Sequence, residues 1–353
     1  MDFFSKKDLI GLDIGSSSVK ILELQNTRKG YALKNVGIAF LPQGTIVDGA
    51  LKEPQIISDI IRDLVASLKI KAKNVATSIS GHPVIIKNIS LPSMTEKELE
   101  DSLEFESEQY IPFDIEDVNI DFQILRDNPE DNEQMDVLLV AAKRDLINDY
   151  ISVIEGSGLK TMVMDVDAFA LENMFEANYT FEEGEAIAII NVGASILNMN
   201  VIKEGVSIFT RDVSIGGNRV TTEIQKGKDI SFEEAEALKV SGQIEEVGQS
   251  DLEDLIEAAF QPLALEIRRS LDFFWVTFAD ERISKIFLSG GCARSNVFKR
   301  IVQDKIGDIN VEVVNPFASI DCSGGDFDPE YIEFIAPFMA IGVGLALRRV
   351  GDR

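Results

Sequence analysis

Short apolar runs alternate with small polar turns at the start of the chain. Leu9 to Ile14 is apolar apart from Asp13, and it is followed by the turn Gly15-Ser16-Ser17-Ser18. Beyond this turn, Val19 to Leu24 alternates between apolar and polar residues. A period of two on one side of a glycine-serine turn predicts two strands joined by a tight hairpin, and Tyr31 to Phe40 predicts a third strand.

The same pattern returns near the middle of the chain. Ala186 to Asn191 is apolar, Gly193 to Ser195 is a turn of small residues, and Asn198 to Ile202 alternates again. Further along, Lys285 to Leu288 predicts a strand that leads into Ser289-Gly290-Gly291-Cys292-Ala293-Arg294 and a helix. The repeated strand, turn and strand indicates two related halves.

A segment with a different pattern of hydrophobic and polar residues lies between these halves. An amphipathic helix is predicted from Pro54 to Ile70 and a strand from Val75 to Ser80, which stops at Gly81. Leu91 to Glu98 has the Ser or Thr cap and first-turn glutamates of a helix start, and that helix breaks at Pro112. Two strands around a polar turn and a helix from Lys143 to Ser157 follow, which predicts a small subdomain inserted into a larger scaffold.

Length and charge limit the function classes. With 353 residues the chain predicts two or more lobes, and its net charge of -26 disfavours general binding to nucleic acid or to anionic lipid. Cys292 and Cys322 share no metal or redox spacing, and the single histidine, His82, leaves no set of ligands for a zinc site. Two unpaired thiols favour a reducing compartment, so we expect a cytoplasmic protein.

Segments that would direct the chain to a membrane are not predicted. The first residues lack the apolar stretch of a signal peptide after their lysines. The longest apolar tract, Phe334 to Leu347, is too short to span a bilayer and contains Gly342 and Gly344. It predicts a buried core helix.

The glycine- and serine-rich turns carry the candidate chemistry. Backbone N–H groups of such a turn can converge on anionic oxygens, and an Asp two residues before the turn can hold hydrated Mg²⁺. A single turn of this kind is more often an ordinary hairpin. Two such turns, one in each half, together with a Gly-Gly turn before a helix, favour a phosphate-binding cleft.

These motifs resemble those of the actin-like ATPase superfamily. Gly11 to Lys20 resembles its phosphate-1 motif, Ile190 to Ala194 its phosphate-2 motif, and Leu288 to Arg294 its adenosine motif. Asp165 to Ala170 and Pro337 to Gly342 resemble its two hinge segments. The resemblance implies an α/β, actin-like (ribonuclease-H-like) fold of two lobes, with ATP and Mg²⁺ as cofactors.

The resemblance also implies a set of site residues. Asp13 and Asn191 would serve the metal. The Gly pair in Thr210 to Asn218 and the segment Ala235-Glu236-Ala237-Leu238-Lys239 resemble the parts that approach the nucleotide. The complete set expected to bind the cofactor is Gly15, Ser16, Ser17, Ser18, Lys20, Gly193, Ala194, Gly216, Gly217, Asn218, Glu236, Lys239, Gly290, Gly291, Ala293 and Arg294. Without the resemblance, Glu236 and Lys239 would be read as a surface ion pair on one helical face.

Within the superfamily, the chain resembles PilM and the division protein FtsA. The segment after Gly81 is similar to their inserted 1C subdomain, and Leu91-Pro92 and Tyr110-Ile111-Pro112-Phe113 resemble PilM in particular. The implied division is 1-81, 159-180 and 335-353 for subdomain 1A and 82-158 for 1C. Subdomain 2A would comprise 181-222 and 280-334, and 2B would comprise 223-279.

Membrane attachment distinguishes these two relatives. FtsA-type proteins end in an amphipathic membrane helix, whereas this sequence ends at Arg353 directly after the hinge-like segment. We therefore expect the protein to reach the membrane only by binding a partner. Resemblance to the PilM family implies binding of the N-terminal cytoplasmic peptide of a PilN-like protein in a groove lined by residues from Val84 to Phe113. It also implies contacts with motor ATPases of the pilus, or of a related type II secretion system, and a location at the inner membrane. It is compatible with a homo-oligomer or filament.

One departure from the motifs concerns hydrolysis. The phosphate-2 position that is usually Asp is Asn191, whose amide adds no negative charge and cannot take a proton. The residue that orients attacking water is Asp167 or Asp165, and either could instead cap the following helix. We expect ATP binding with slow or negligible turnover. The alternative is a small-molecule kinase of the same superfamily, although no Asp in a separate acceptor loop is evident.

Overall fold

The computed structural model describes residues 9–47, 49–128, 131, 133–241, 249–324 and 327–352. Two five-stranded sheets form the centres of two lobes, and a three-stranded sheet forms the inserted part. This is the two-lobed α/β architecture that the sequence predicts.

The first lobe is built on the sheet β10-β6-β1-β2-β3. Strands β1 to β3 are antiparallel neighbours, whereas β6 and β10 run parallel to β1. The strands are β1 (Ile10–Ile14), β2 (Ser18–Thr27), β3 (Gly30–Phe40), β6 (Asn74–Ile79) and β10 (Lys160–Val166), and a two-stranded ribbon comprises β4 (Ile46–Val47) and β5 (Ala50–Leu51). Helices α1 (Pro54–Ser67) and α3 (Arg144–Gly156) cover one face of this sheet.

The second lobe repeats this arrangement with the order β13-β12-β11-β14-β15. Strands β11 to β13 are antiparallel, and β14 and β15 run parallel to β11. The strands are β11 (Ala186–Val192), β12 (Leu197–Lys203), β13 (Val206–Val213), β14 (Ile283–Ser289) and β15 (Asn310–Val313). Its outer helices are α5 (Gly217–Lys228), α6 (Phe232–Ser241), α7 (Gln249–Thr277) and α8 (Asn296–Ile306).

Two further helices pack between the sheets. Helix α4 (Asp167–Asn178) follows β10, and α10 (Ala340–Leu347) follows the short helix α9 (Pro329–Ile335). They cross where Gly344 faces Ala170, because a Cβ on Gly344 would overlap the Ala170 backbone. Helix α10 also lies directly on β1, since a Cβ on Gly11 would be 2.7 Å from the Ala346 nitrogen. Two glycines thus permit the close approach of these central elements.

The insertion has a core of its own. Strands β7 (Val84–Pro92), β8 (Val118–Asp127) and β9 (Gln134–Lys143) form an antiparallel sheet in the order β7-β9-β8. Helix α2 (Glu96–Ser107) begins with a capping box, in which Thr95 accepts from the Glu98 amide and the Glu98 carboxylate accepts from the Thr95 amide. This confirms the helix start that the sequence predicts.

Helix α3 lies within the bounds expected for the insertion, 82–158, but it packs with the first lobe. Ile147, Tyr150 and Val153 belong to the core that contains α1, and Ser58 Oγ donates to the Val153 carbonyl at 2.9 Å. The buried cluster of the insertion runs only from Ile89 to Ala141. We therefore propose that the inserted subdomain ends near Lys143; the other expected subdomain boundaries stay predictions.

Helix length and apolar composition among the described residues bear on whether the chain could cross a membrane. No single helix there is both long and apolar enough to cross a bilayer. The pair Pro329–Phe338 and Ala340–Leu347 meets the length and composition criteria together, with a bend of 88° between its parts.

Candidate nucleotide cleft

A cavity of about 660 Å³ lies between the two lobes. The carboxyl ends of β1, β6, β11 and β14 point toward it, as expected for ligand sites of open α/β sheets. The expected catalytic residue Asp167 lines it, as do most residues expected to bind nucleotide or metal: Asp13, Gly15, Ser16, Ser17, Ser18, Lys20, Asn191, Gly193, Ala194, Gly217, Asn218, Glu236, Lys239, Gly290, Gly291 and Arg294. Gly216 and Ala293 are not among the lining residues, although each is next in the chain to residues that are.

The first hairpin places a buried ion pair at the cavity. Asp13 and Lys20 are opposite each other across β1 and β2. The Lys20 Nζ lies 2.8 Å from Asp13 Oδ2, and both side chains are largely buried. The turn between them is closed by the Gly15 amide, which donates to the Ser18 carbonyl at 3.0 Å. Asp13 therefore holds a cation of the chain itself at the position expected to serve a metal.

The second hairpin places amides at the equivalent register. Asn191 and Asn198 are opposite each other across β11 and β12. Asn191 Nδ2 donates to Asn198 Oδ1 at 3.0 Å, and Asn198 Nδ2 donates to Asp212 Oδ1 at 2.8 Å. This series of hydrogen bonds continues to the first lobe, where the Gly81 amide donates to Asp212 Oδ2 at 2.6 Å. Asn191 is therefore one member of a hydrogen-bonded row that crosses between the lobes.

Asp167 and Asp165 have different surroundings. Asp167 lines the cavity and accepts from Ser78 Oγ at 2.6 Å. Burial, followed by repulsion from Asp13, raises the pKa of Asp167 to about 7, so this carboxyl can exchange a proton near neutrality. Asp165 instead lies 3.3 Å from the Arg348 Nε in a buried ion pair away from the cavity. The geometry thus favours Asp167 as the residue that could act on a bound ligand.

The start of α5 is anchored to the second turn. The Gly217 amide donates to the Gly193 carbonyl at 2.9 Å, and the Asn218 amide donates to the Ala194 carbonyl at 2.8 Å. A Cβ on Gly216 would lie 2.6 Å from the same backbone, so only glycine permits this approach. The predicted Gly pair therefore holds the helix against the phosphate-2 turn.

The adenosine-type turn is equally close-packed. Gly290 has φ of +83°, and a Cβ there would lie 2.6 Å from the Val192 carbonyl carbon, so glycine is required on both grounds. The guanidinium of Arg294 stacks 3.7 Å from the ring centroid of Phe334. It lies 5.2 Å from that of Phe338. Arg294 is therefore oriented by two aromatic rings at the edge of the cavity.

Lys239 is held by the protein itself. Its Nζ donates to Glu236 Oε2 at 2.6 Å, to Thr221 Oγ1 at 3.0 Å and to the Gly217 carbonyl at 3.3 Å. These contacts satisfy all three donors of the ammonium group. Glu236 is about half exposed toward the cavity, so of this pair it is the more accessible to a ligand.

Sequence reasoning did not identify several lining residues. Ser78 is the penultimate residue of β6 and Ser80 follows its end, and their position at the carboxyl end of a parallel strand could have indicated them. Asn198 is seven residues after Asn191, as Lys20 is after Asp13, so the repeated spacing was a usable signal. Tyr150 also lines the cavity, where burial and then Asp167 and Asp13 raise the pKa of its hydroxyl. Nothing in the local sequence indicates Tyr150.

The lining fits a nucleotide polyphosphate accompanied by Mg²⁺. Its described residues include Lys20, Lys239 and Arg294 as cations against Asp13, Asp167, Glu233 and Glu236 as acids. No group of three or more His, Cys, Asp or Glu side chains in the described ranges could hold a metal ion. A divalent cation would therefore take most of its ligands from phosphate and water, with oxygen atoms of Asp13 and Asn191 nearby.

Comparison with known proteins identifies the family. A family model described as type IV pilus assembly protein PilM matches residues 11–350, which is nearly the whole chain. A solved structure described as a PilM-PilN type IV pilus biogenesis complex aligns with a TM-score of 0.86 at 28% identity, covering 98% of this chain and 100% of that chain. The ethanolamine utilization protein EutJ from Carboxydothermus hydrogenoformans aligns with a TM-score of 0.59 at 14% identity, over 96% of this chain and 89% of that chain.

These results bear on separate predictions. The similarity to EutJ concerns the fold alone, and together with the sheet topology it confirms the predicted actin-like, two-lobed α/β fold. The match of the PilM model confirms the predicted family.

Proposed function

We propose that this chain, which belongs to the type IV pilus assembly protein PilM family, is an ATP-binding adaptor of a pilus assembly complex. It would bind Mg-ATP in the cleft and the N-terminal cytoplasmic peptide of a PilN-like protein at the insertion. The solved PilM-PilN complex, 28% identical, supports a partner of this kind.

One observation carries the nucleotide part of the proposal. The cavity brings together both hairpin turns, the start of α5 and the Gly290 turn, which are far apart in the sequence. Each contributes small residues to the wall of one space, so the phosphate oxygens of a ligand can approach the backbone closely. When bound, Mg²⁺ would offset phosphate charge that the acidic lining cannot.

The chain's own groups would do little to accelerate hydrolysis. Asn191 cannot take a proton and adds no negative charge at the position expected to serve the metal, so metal-assisted hydrolysis would be weak even though Asp167 can exchange a proton near neutrality. We therefore propose slow or negligible turnover. A steady-state rate of roughly 1 per second or more, typical of kinases, would overturn this part.

The partner would lie against the insertion. We propose that residues from Val84 to Phe113 line its groove, that contacts with pilus motor ATPases occur elsewhere on the surface, and that the inner membrane is reached only through the partner. A homo-oligomer is compatible with this arrangement. The net charge of -26 argues against nucleic acid as a partner.

Calorimetry tests the proposal directly. The purified chain is titrated with Mg-ATP, with a peptide copying the PilN-type N-terminus of the same genome, and with each in the presence of the other. We expect both to bind and ATP to change the peptide affinity, which measures a coupling free energy. Binding of neither would contradict the adaptor function, and ADP release in a screen of small metabolites would favour the kinase alternative.

A further inference from the structure

Asp212 lies where three parts of the molecule meet. It is on β13 in the second lobe, close to the phosphate-2 turn, and it reaches the Gly81 amide at the end of β6 in the first lobe. The insertion begins immediately after Gly81. One carboxylate therefore contacts both the row of side chains at the cavity and the chain segment that enters the insertion.

The hydrogen bonds of Asp212 determine the orientation of two amides. An ionised carboxylate only accepts, and both of its oxygens do so here, from Asn198 Nδ2 and from the Gly81 amide. Asn198 must then present its Oδ1 to Asn191, and Asn191 must donate its Nδ2 in return. This leaves Asn191 Oδ1 without a donor among the described residues, at the wall of the cavity.

A second contact joins the same places. Gly81 has φ of +88°, and a Cβ on it would lie 3.2 Å from Ile196 Cδ1, a side chain of the phosphate-2 hairpin. Gly81 has no Cβ, so the Ile196 side chain lies beside its backbone, and a displacement of that hairpin toward Gly81 would close this space as well as alter the Asp212 hydrogen bond. Because packed interiors are hardly compressible, such a displacement is passed on to the neighbouring backbone.

The insertion is held to the second lobe at one more point. Asn88 Nδ2 on β7 lies 3.4 Å from the Ser207 carbonyl and 3.5 Å from the Ile208 carbonyl on β13. Strand β13 thus contacts both the entry to the insertion and its first strand. The insertion, although it belongs to the first lobe by sequence, follows the edge of the second.

We propose that Asp212 is a positioning residue that directs the Asn191 oxygen toward the cavity and tethers the entry of the insertion, so that the phosphate end of the cleft and the insertion are coupled. The coupling to ATP and to a partner peptide rests on the proposed function. The tether itself is a property of the ligand-free chain.

The first test uses the ligand-free protein. Hydrogen–deuterium exchange is compared for wild type, Asp212→Ala and Asp254→Asn, the last changing an exposed acid on α7 as a control. Loss of a hydrogen bond to a charged acceptor predicts about tenfold faster exchange at Gly81 and along β7 in Asp212→Ala. Amides at the centre of β9 should not change. Unchanged exchange at Gly81 and β7 would overturn the tether.

The second test uses Asp212→Asn, which keeps the shape of the side chain. The new amide can accept from Gly81 and donate to Asn198, which reverses both asparagines and turns a donor toward the cavity. We expect the gain in ATP affinity caused by Mg²⁺ to fall about tenfold, with ATP affinity in EDTA unchanged. If Mg²⁺ raises ATP affinity as much in Asp212→Asn as in wild type and Asp254→Asn, the proposal that Asp212 orients the Asn191 oxygen is wrong.

The outcomes separate the two proposals. If wild type binds no ATP, the proposed function fails, while the exchange comparison still decides whether Asp212 tethers the insertion. If ATP binds and Asp212→Asn lowers only the increase in ATP affinity that Mg²⁺ causes, both proposals are supported. If both Asp212 variants lower ATP affinity equally with and without Mg²⁺, Asp212 has a general structural role and the orientation is wrong.

Discussion

The two lobes have the same sheet topology but different chemistry at the same register. In the first, Asp13 and Lys20 form an ion pair across β1 and β2. In the second, Asn191 and Asn198 form an amide pair across β11 and β12, and the row continues to Asp212 on β13. The first hairpin balances its charge locally, whereas the second is neutral at the cavity and depends on a carboxylate one strand further away.

The difference suits the two hairpins to two tasks, holding charge near a ligand and orienting an atom toward the cavity. A buried ion pair fixes charge near a ligand but is strongly destabilised when one partner is lost. A row of amides carries orientation over a distance, because each donor fixes the next acceptor. The first hairpin therefore holds charge near the cavity. In the second, Asp212 determines through Asn198 which atom of Asn191 faces the cavity.

The central helices differ in the same sense. Helix α10 consists of Ala, Ile, Gly, Val and Leu only, and α4 carries Asp167, Glu172 and Glu176. The glycines of α10 and β1 allow the backbones to touch, while Glu172 of α4 accepts a hydrogen bond from Ser207 in the second sheet.

Gly11→Ala should have the largest effect, because it blocks the contact of α10 with β1. The equivalent position in the second sheet, two residues before Asn191, is Ile189, so only the first sheet needs glycine here. A Cβ at Gly11 meets backbone atoms of α10, which cannot rotate away, and we expect a loss of roughly 4 kcal/mol or more in unfolding free energy. Denaturant unfolding measures it. Gly324→Ala, where a Cβ meets nothing within 4 Å, is the control, and equal losses would disprove the argument.

Asp13→Asn tests the charge-holding hairpin. Lys20 would stay largely buried without a carboxylate, which predicts a loss of about 3 kcal/mol and weaker binding of Mg-ATP. The matched control is Asp59→Asn, since the Asp59–Arg62 pair is about half exposed and should contribute less than about 1 kcal/mol. Denaturant unfolding measures both variants. Similar losses of unfolding free energy would mean that burial of the Asp13–Lys20 pair does not increase its contribution to stability.

Asn191→Asp makes the second hairpin resemble the first. The new carboxylate and Asp212 would compete for the single amide group of Asn198, so we expect about 2 kcal/mol of destabilisation near pH 8. Adding Asn198→Lys supplies a cation between the two acids and should recover most of the loss. A double variant no more stable than Asn191→Asp would show that the two registers are not interchangeable.

The sequence predicted the parts of this comparison that depend on local pattern. Alternating strands on either side of small-residue turns indicated both hairpins, and the cap at Thr95 and Glu98 indicated α2. The Asp212 row could not be predicted in this way. Its members lie on three strands and join β13 to β6, so they meet only once the lobes are packed.

The position of α3 shows the same limit. Its apolar spacing predicts a helix, but the pattern does not say which sheet the apolar face will contact. In the structure that face packs on α1, and Tyr150 reaches the cavity as a result. Local periodicity therefore identified the helix, and only the tertiary contacts assigned it to the first lobe.

Glu172→Gln is expected to give the smallest effect and tests the acidic character of α4. Burial raises the pKa of Glu172 to about 7, although Ser207 Oγ donates to the carboxylate. A group whose pKa is raised on folding contributes stability at low pH and loses it as pH rises toward the folded pKa. Wild type should therefore lose roughly 1 to 2 kcal/mol between pH 5 and pH 8 from this group, and Glu172→Gln should lose correspondingly less. Denaturant unfolding at both pH values measures the slope, with the exposed Glu155→Gln on α3 as control. A slope equal to that of wild type would mean that Glu172 is ionised in the folded chain throughout this range, and that the acids of α4 differ from the apolar α10 in composition but not in their dependence on pH.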